Sequence, residues 1–217
     1  MTISHALITF IVASGLLTIT PGLDTMLVVR TATIGGRKQA LAASFGICLG
    51  LLIWGICTSV GLGALLNASR FAYNVLRIAG ACYLIFLGYQ LIRRPEAAFS
   101  DAGKLGPSSI ENSDSCDDPW QWFGRGLFTN FLYPKVGLFY VTFLPLFIPA
   151  GSNVVGFSML LASIHALEGI VWFSVLVAAV RPFSVWLRKK EAVNKLDYIM
   201  GTVFVGFGVK LLFADRR

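Results

Sequence analysis

The sequence predicts an all-α polytopic membrane protein: six transmembrane helices arranged as two inverted three-helix repeats with proline-broken first helices. Three observations carry this. The chain of 217 residues is 56% hydrophobic and 13% charged, with a mean hydropathy of +0.73, too apolar for a water-soluble domain of this size. Six apolar runs each come near the ~20 residues a helix needs to cross a bilayer. The first run of each half also holds a proline beside an ionisable side chain, Pro21 with Asp24 and Pro134 with Lys135.

The first run, residues 3–29, contains Thr18-Ile-Thr-Pro-Gly-Leu-Asp24. Pro21 lacks a backbone donor and its ring clashes with the preceding turn, so the helix must break or kink there. In hydrocarbon a broken helix is tolerated only where protein or a water-filled cavity satisfies the freed backbone groups, which points to a cavity at this place. The second and third runs are residues 40–66 and 71–92. Gly46, Gly50, Gly61 and Gly63 read as close-packing surfaces, as do Gly201, Gly206 and Gly208 near the C-terminus. Gly46-Ile-Cys-Leu-Gly50 also fits a small-xxx-small template open to a homo-oligomer, with packing inside one chain the simpler use. Arg77 sits where its stem can snorkel outward.

A long connection follows, rich in Ser, Asp, Asn, Gly and Pro and carrying Glu96, Asp101, Glu111, Asp114, Asp117 and Asp118. It reads as a solvated acidic linker and divides the chain into residues 1–92, 93–123 and 124–217. Its acids lack EF-hand spacing, and its end, Pro119-Trp-Gln-Trp-Phe123, reads as an interfacial aromatic anchor. The fourth to sixth runs are residues 126–148, 154–180 and 196–213. The last helices of the halves share a pattern, Leu76…Gly88-Tyr-Gln-Leu-Ile92 against Leu196…Gly208-Val-Lys-Leu-Leu212. Three crossings per half force the second copy to insert upside down, the arrangement of alternating-access transporters.

The net charge of +7 does not signal a nucleic-acid partner, because the basic residues sit in short connections beside apolar runs. Those connections (Arg30, Arg37, Lys38; Arg93, Arg94, Lys104, Arg125; Arg181, Arg188, Lys189, Lys190, Lys195) face the cytoplasm by the positive-inside rule. Both termini then lie outside, although Arg216 and Arg217 pull the other way. The N-terminus has no basic n-region or small-residue cleavage site, so no removable signal peptide is expected. Cys48, Cys57, Cys82 and Cys116 form no CxxC pair and read as small hydrophobes. Trp54, Trp172 and Trp186 need no role beyond packing or anchoring.

Asp24 is costly in hydrocarbon and marks a functional site by default. Two plainer readings stay open: a half-helix capped by Thr20 with Asp24 in its first turn, and a fastening salt bridge to Lys135. Lys135 follows Asn130-Phe-Leu-Tyr-Pro134 and could instead snorkel. Opposite charges at paired breaks suit a zwitterion, its carboxylate at Lys135 and a half-helix N-terminus, its ammonium at Asp24. The substrate-binding candidates are Thr20, Pro21, Gly22, Asp24, Asn130, Tyr133, Pro134 and Lys135. His165 and Glu168, three apart on one face of the fifth run, join Asp24 as proton-coupling candidates. They could equally be a satisfied polar pair. With two histidines in the chain and no nearby cysteine, ligands for a metal are too few, and no cofactor is implied.

Thr20-Pro-Gly-Leu-Asp24-Thr25 with Val28-Val29-Arg30, and Asn130…Pro134-Lys135…Phe139…Leu144-Pro145, resemble the lysine-exporter (LysE/RhtB) family. The resemblance covers nearly the whole chain except the linker, which is longer than usual for that family. It implies six spans in the inner membrane, efflux of amino acids or related small metabolites coupled to protons, and a centre at Asp24, Lys135, Pro21 and Pro134. Leu23, Tyr133 and Leu146 depart from the family pattern, where proline, asparagine and glutamine are common, so substrate identity stays open. The rival readings are an intramembrane enzyme using His165 and Glu168, a channel, and a membrane scaffold. The enzyme lacks a nucleophile with a clear base.

Overall fold

The structure, a computed structural model, describes residues 3–68, 70–93, 118–149, 152–180 and 190–212. The acidic linker from Arg94 to Asp117 with Cys116, the basic residues Arg181, Arg188, Lys189, Arg216 and Arg217, Trp186, and the side chains of Arg77 and Gly63 lie outside the described residues. Every described element is helical: α1 (Ile3–Ile19), α2 (Leu23–Ile34), α3 (Arg37–Ala68), α4 (Arg70–Arg93), α5 (Pro119–Phe131), α6 (Pro134–Phe143) with a 3-10 turn at Leu144–Phe147, α7 (Val154–Ala178) and α8 (Lys190–Leu212).

Proline writes both breaks. α1 stops at Ile19, two residues before Pro21, and α2 resumes at Leu23 with a bend of 50°. In the second half Tyr133 is held extended at φ −80°, ψ 107°, as a residue before proline must be, and Pro134 opens α6 at its first position. Pro145 then tightens the end of α6 into the 3-10 turn. Between α2 and α3, Gly36 takes a φ of +92° that a side chain would resist. The N–H groups of Gly35 and Gly36 there both close on the Thr31 carbonyl.

α5 begins at Pro119, earlier than the apolar run, so Pro119–Phe123 are its opening turns and no part of a linker. The start signal is Asp118, whose carboxylate accepts from the Trp120 N–H at 3.0 Å, followed by Pro119 at the first helical position. Arg125 and Gln121 interrupt the apolar pattern there and hide the helix from a hydropathy reading.

α3 lies at the centre, and small residues bring backbones together around it. A Cβ on Gly46 would meet the Phe123 carbonyl of α5, and one on Gly126 would meet the Ala43 carbonyl of α3. From Gly46 on Phe123 and Leu127 the contacts rise to Gly50 on Asn130 and Trp54 on Gly137, which makes α3 parallel to α5 and α6. On its other side α3 runs antiparallel to α7, with Gly55 against Ala162 and Cys48 against Gly169. α4 and α8 pair antiparallel through Gly88 on Gly201 and Gly208 on Ala81 and Ile85. The broken pair α1–α2 runs antiparallel to α5–α6, from Phe10 beside Phe139 and Phe147 to Gly22 beside Tyr133.

The small-xxx-small stretch thus works inside one chain, since Gly46 and Gly50 both face α5. Gly61 and Gly206 do not pack closely: nothing stands within 4 Å of a Cβ placed there. Two cysteines also depart from expectation. Cys48 is buried, but Cys57 and Cys82 lie on the outer surface, beside Ile56, Val60 and Phe86. That surface is apolar along its length, with Ile8, Ile11 and Val12 on α1 and Leu160, Leu167, Val171 and Val175 on α7 exposed. An outward apolar face of this extent suits hydrocarbon. Residues 37–61 of α3 and the whole of α7 are long and apolar enough to cross a membrane, as is the bent pair α1–α2 taken together.

Alanine at Gly126, where a Cβ overlaps backbone, is expected to cost about 1–3 kcal/mol of overpacking. Alanine at Gly61 meets nothing and should be neutral. Thermal unfolding of the two purified variants in detergent measures the difference.

Candidate functional site

The two proline breaks face each other. A Cβ on Gly22 would stand 3.1 Å from the Tyr133 hydroxyl, close enough that the tyrosine would have to shift slightly, while the extended backbone there suits any residue. Around this meeting point opens a cavity whose empty volume, counted out to its mouth and with the solvent there included, is about 470 Å³. Its lining comes from α1 (Leu17, Thr18), the first break (Thr20, Gly22), α2 (Asp24, Thr25), α3 (Ile47, Leu51), the second break and α6 (Tyr133, Lys135, Val136), and α7 (His165, Gly169, Phe173).

Five of the eight substrate-binding candidates line this cavity: Thr20, Gly22, Asp24, Tyr133 and Lys135. Pro21 is not among the lining residues; it and Pro134 make the breaks that shape the cavity. Asn130 is fully buried and is not among the lining residues. Its Nδ2 donates to Asp24 Oδ2 at 2.8 Å, so it holds the acid. Gly50 makes room for it: a Cβ there would lie 2.6 Å from Asn130 Oδ1.

Asp24 occupies the first turn of α2, where a negative charge meets the positive end of the helix dipole. Thr20 does not cap that helix. The N-cap position belongs to Gly22, and the Thr20 hydroxyl donates back to the Leu16 carbonyl at 2.8 Å. With Oδ2 taken by Asn130, Asp24 Oδ1 has no hydrogen-bond partner among the described residues. Lys135 follows Pro134 in the first turn of α6, half-buried on the cavity wall. Ammonium and helix N-terminus there add to a positive potential suited to an anion.

His165 is nearly fully buried, boxed by Phe10 and Phe139 and stacked with Tyr140. The Thr18 hydroxyl donates its single proton to the Ser14 carbonyl at 2.8 Å. The hydrogen in the 3.1 Å contact between Thr18 Oγ1 and His165 Nε2 therefore sits on Nε2. Nδ1 is then the acceptor for the Tyr140 hydroxyl at 3.2 Å. Glu168, one turn along α7, is not a lining residue. It turns to α1, beside Ser14 and with Oε1 3.8 Å from a Cβ placed on Gly15. Its Oε2 is buried with no hydrogen-bond partner among the described residues. Sequence reasoning missed Thr18, Tyr140 and Gly169. Thr18 opens the motif stretch, but nothing in the sequence ties it to a histidine so distant along the chain.

A family model described as LysE type translocator matches residues 16–215. The chain is 30% identical over 210 residues to the membrane protein YrhP of Bacillus subtilis (strain 168), covering 95% of this chain and 98% of that one. It is 29% identical to the threonine efflux protein of Salmonella typhimurium, covering 89% of this chain and 91% of that one. The leucine efflux protein of Enterobacter sp. (strain 638) is also 29% identical, with 94% and 93% covered. No solved structure matches.

A double-mutant cycle with Asp24→Ala and Asn130→Ala, followed by unfolding in mixed micelles, should give a coupling of about 1.5–3 kcal/mol, as for a hydrogen bond to a charged group. Gly50→Ala should reproduce the loss of Asn130, since its new methyl displaces that side chain.

Proposed function

Because the chain belongs to the LysE type translocator family, a family of membrane translocators with amino-acid efflux proteins among its relatives, we propose that it is a secondary transporter exporting small neutral amino acids from the cytoplasm by proton antiport. One observation carries the reading: Asp24 and Lys135 line a single cavity where two proline-broken helices meet. Asp24 Oδ1 takes the substrate ammonium, and Lys135 with the α6 N-terminus takes the carboxylate. Holding both ends of the substrate demands the pair, so a molecule with one charge leaves a buried ion alone.

The side chain of the substrate meets Leu17, Ile47, Leu51, Val136 and Phe173, with Thr18, Thr25 and His165 between them. None of these carries a formal charge in the hydrogen-bonded arrangement described, so a substrate with a charged side chain would find no partner. This agrees with the threonine and leucine named for the relatives.

Alternating access follows from a six-span inverted repeat, and two features support that architecture. α3 parallel to α5, α3 antiparallel to α7 and α4 antiparallel to α8 are the directions expected of a chain crossing six times in succession. Aligning the halves on Leu76…Gly88 and Leu196…Gly208 pairs Ala81 with Gly201. The contact of Gly88 on Gly201 then maps onto the contact of Gly208 on Ala81, as a two-fold axis requires. In this reading the chain is a multi-pass inner-membrane protein with both termini outside. The enzymatic alternative is weaker, because both nitrogens of His165 are already engaged.

Purified protein in liposomes should exchange internal L-threonine or L-leucine for labelled external substrate, and lysine and glutamate should not compete. Asp24→Asn and Lys135→Met should each lower the exchange rate at least tenfold while keeping a monodisperse elution profile. Full exchange by folded Asp24→Asn removes Asp24 from the site.

A further inference from the structure

Of the three proton-coupling candidates, Asp24 is held by Asn130 inside the substrate cavity. His165 has both ring nitrogens committed to Thr18 and Tyr140. Glu168 differs from both. It stands outside the cavity, half-buried beside α1 at Gly15, with one carboxyl oxygen buried and without a hydrogen-bond partner among the described residues. The groups facing it are Ser14 from α1, Tyr140 from α6 and, on its own helix, His165. Cys48 of α3 adjoins α7 at Gly169, and Asp24 of α2 lies across the cavity. None of these is a lysine or arginine.

We propose that Glu168 is the proton site of the carrier, separate from the substrate cavity, and that its ionisation parts α1 from α7. This rests on the export reading above. A carboxylate at this place would keep Ser14 beside one oxygen but leave the other buried without a donor or a cation among the described residues, which is costly. A carboxylic acid removes the charge, so the packed conformation described here is that of the acid. Losing the proton obliges the carboxylate to find water, and the surface it must open is its contact with α1. α1 ends at the break that forms the cavity, and Thr18, three residues past Gly15, lines that cavity and bonds His165. Separating α1 from α7 therefore opens the substrate site in the same movement. In each cycle the carboxylate takes one proton from the outer water and releases it to the cytoplasm, while one amino acid leaves.

The test uses the full chain in liposomes with labelled L-threonine as probe. Exchange at equal pH on both sides is compared with accumulation driven by a pH difference. Glu168→Gln, which cannot ionise, should lose exchange at least tenfold and lose gradient-driven accumulation while keeping a monodisperse elution profile. Glu168→Asp should keep the response to the gradient with a displaced pH profile. Exchange at the unaltered rate by folded Glu168→Gln overturns the proposal, and so does gradient-driven accumulation by that variant. Should Glu168→Gln not fold, an undisplaced pH profile in Glu168→Asp overturns it. An unaltered protein that exchanges L-threonine yet ignores the gradient overturns proton coupling and leaves the export reading intact. One that exchanges neither L-threonine nor L-leucine sinks the export reading, and this inference with it.

Discussion

Proline cannot continue a helix, and an apolar medium offers nothing to the backbone groups it frees. Every distinctive feature of this site follows from meeting that constraint twice and bringing the two places together. Gly22 and Tyr133 touch, so each break covers the other. The new helix ends at Leu23 and Pro134 both begin at the same cavity. Two positive helix ends in one low-dielectric space would repel, and Asp24 in the first turn of α2 neutralises one of them. The other is reinforced by Lys135. The asymmetry between chemically similar breaks is what turns a structural necessity into a site with two signs.

The breaks, their charges and the helical class were legible because proline and an intramembrane carboxylate have few other uses. What stayed hidden was orientation around each helix. Asn130 sits in a motif beside Tyr133 and Lys135, yet one points at the cavity wall and the other is buried behind Asp24. Only the contact with Gly50, a residue on a different helix, decides that. His165 and Glu168 share a helical face by spacing but serve different neighbours: a side chain reaching Thr18 lines the cavity, one reaching Gly15 does not. α5 was missed at its start because polar residues at 121 and 125 break the apolar run, while Asp118-Pro119, a capping signal, marks it plainly. Gly61 shows the opposite error, since a glycine in an apolar helix need not be a contact at all.

Buried polar groups in such a setting rigidify when satisfied and drive movement when not. The chain from Ser14 through Thr18 and His165 to Tyr140 is satisfied at every link described. It fixes the cavity wall on the α7 side in one tautomer and one rotamer. Glu168, one turn away, has an oxygen that no described residue satisfies. The same two helices therefore hold both a lock and a reason to open.

The packing shows which interfaces are able to move. α3 meets α5, and α4 meets α8, through glycines whose missing side chains let backbone rest on backbone. A contact of that kind tolerates neither sliding nor rotation, because the first displaced residue brings a side chain into the gap. α1 meets α7 differently, through hydrogen-bonded and ionisable side chains around Gly15, which exchange partners without unpacking a backbone. Under the export reading proposed above, the broken helix moves across α7 while α3–α5 and α4–α8 travel as rigid pairs. Stiffening α3–α5 further should leave transport unaffected, whereas anything that ties α1 to α7 should halt it.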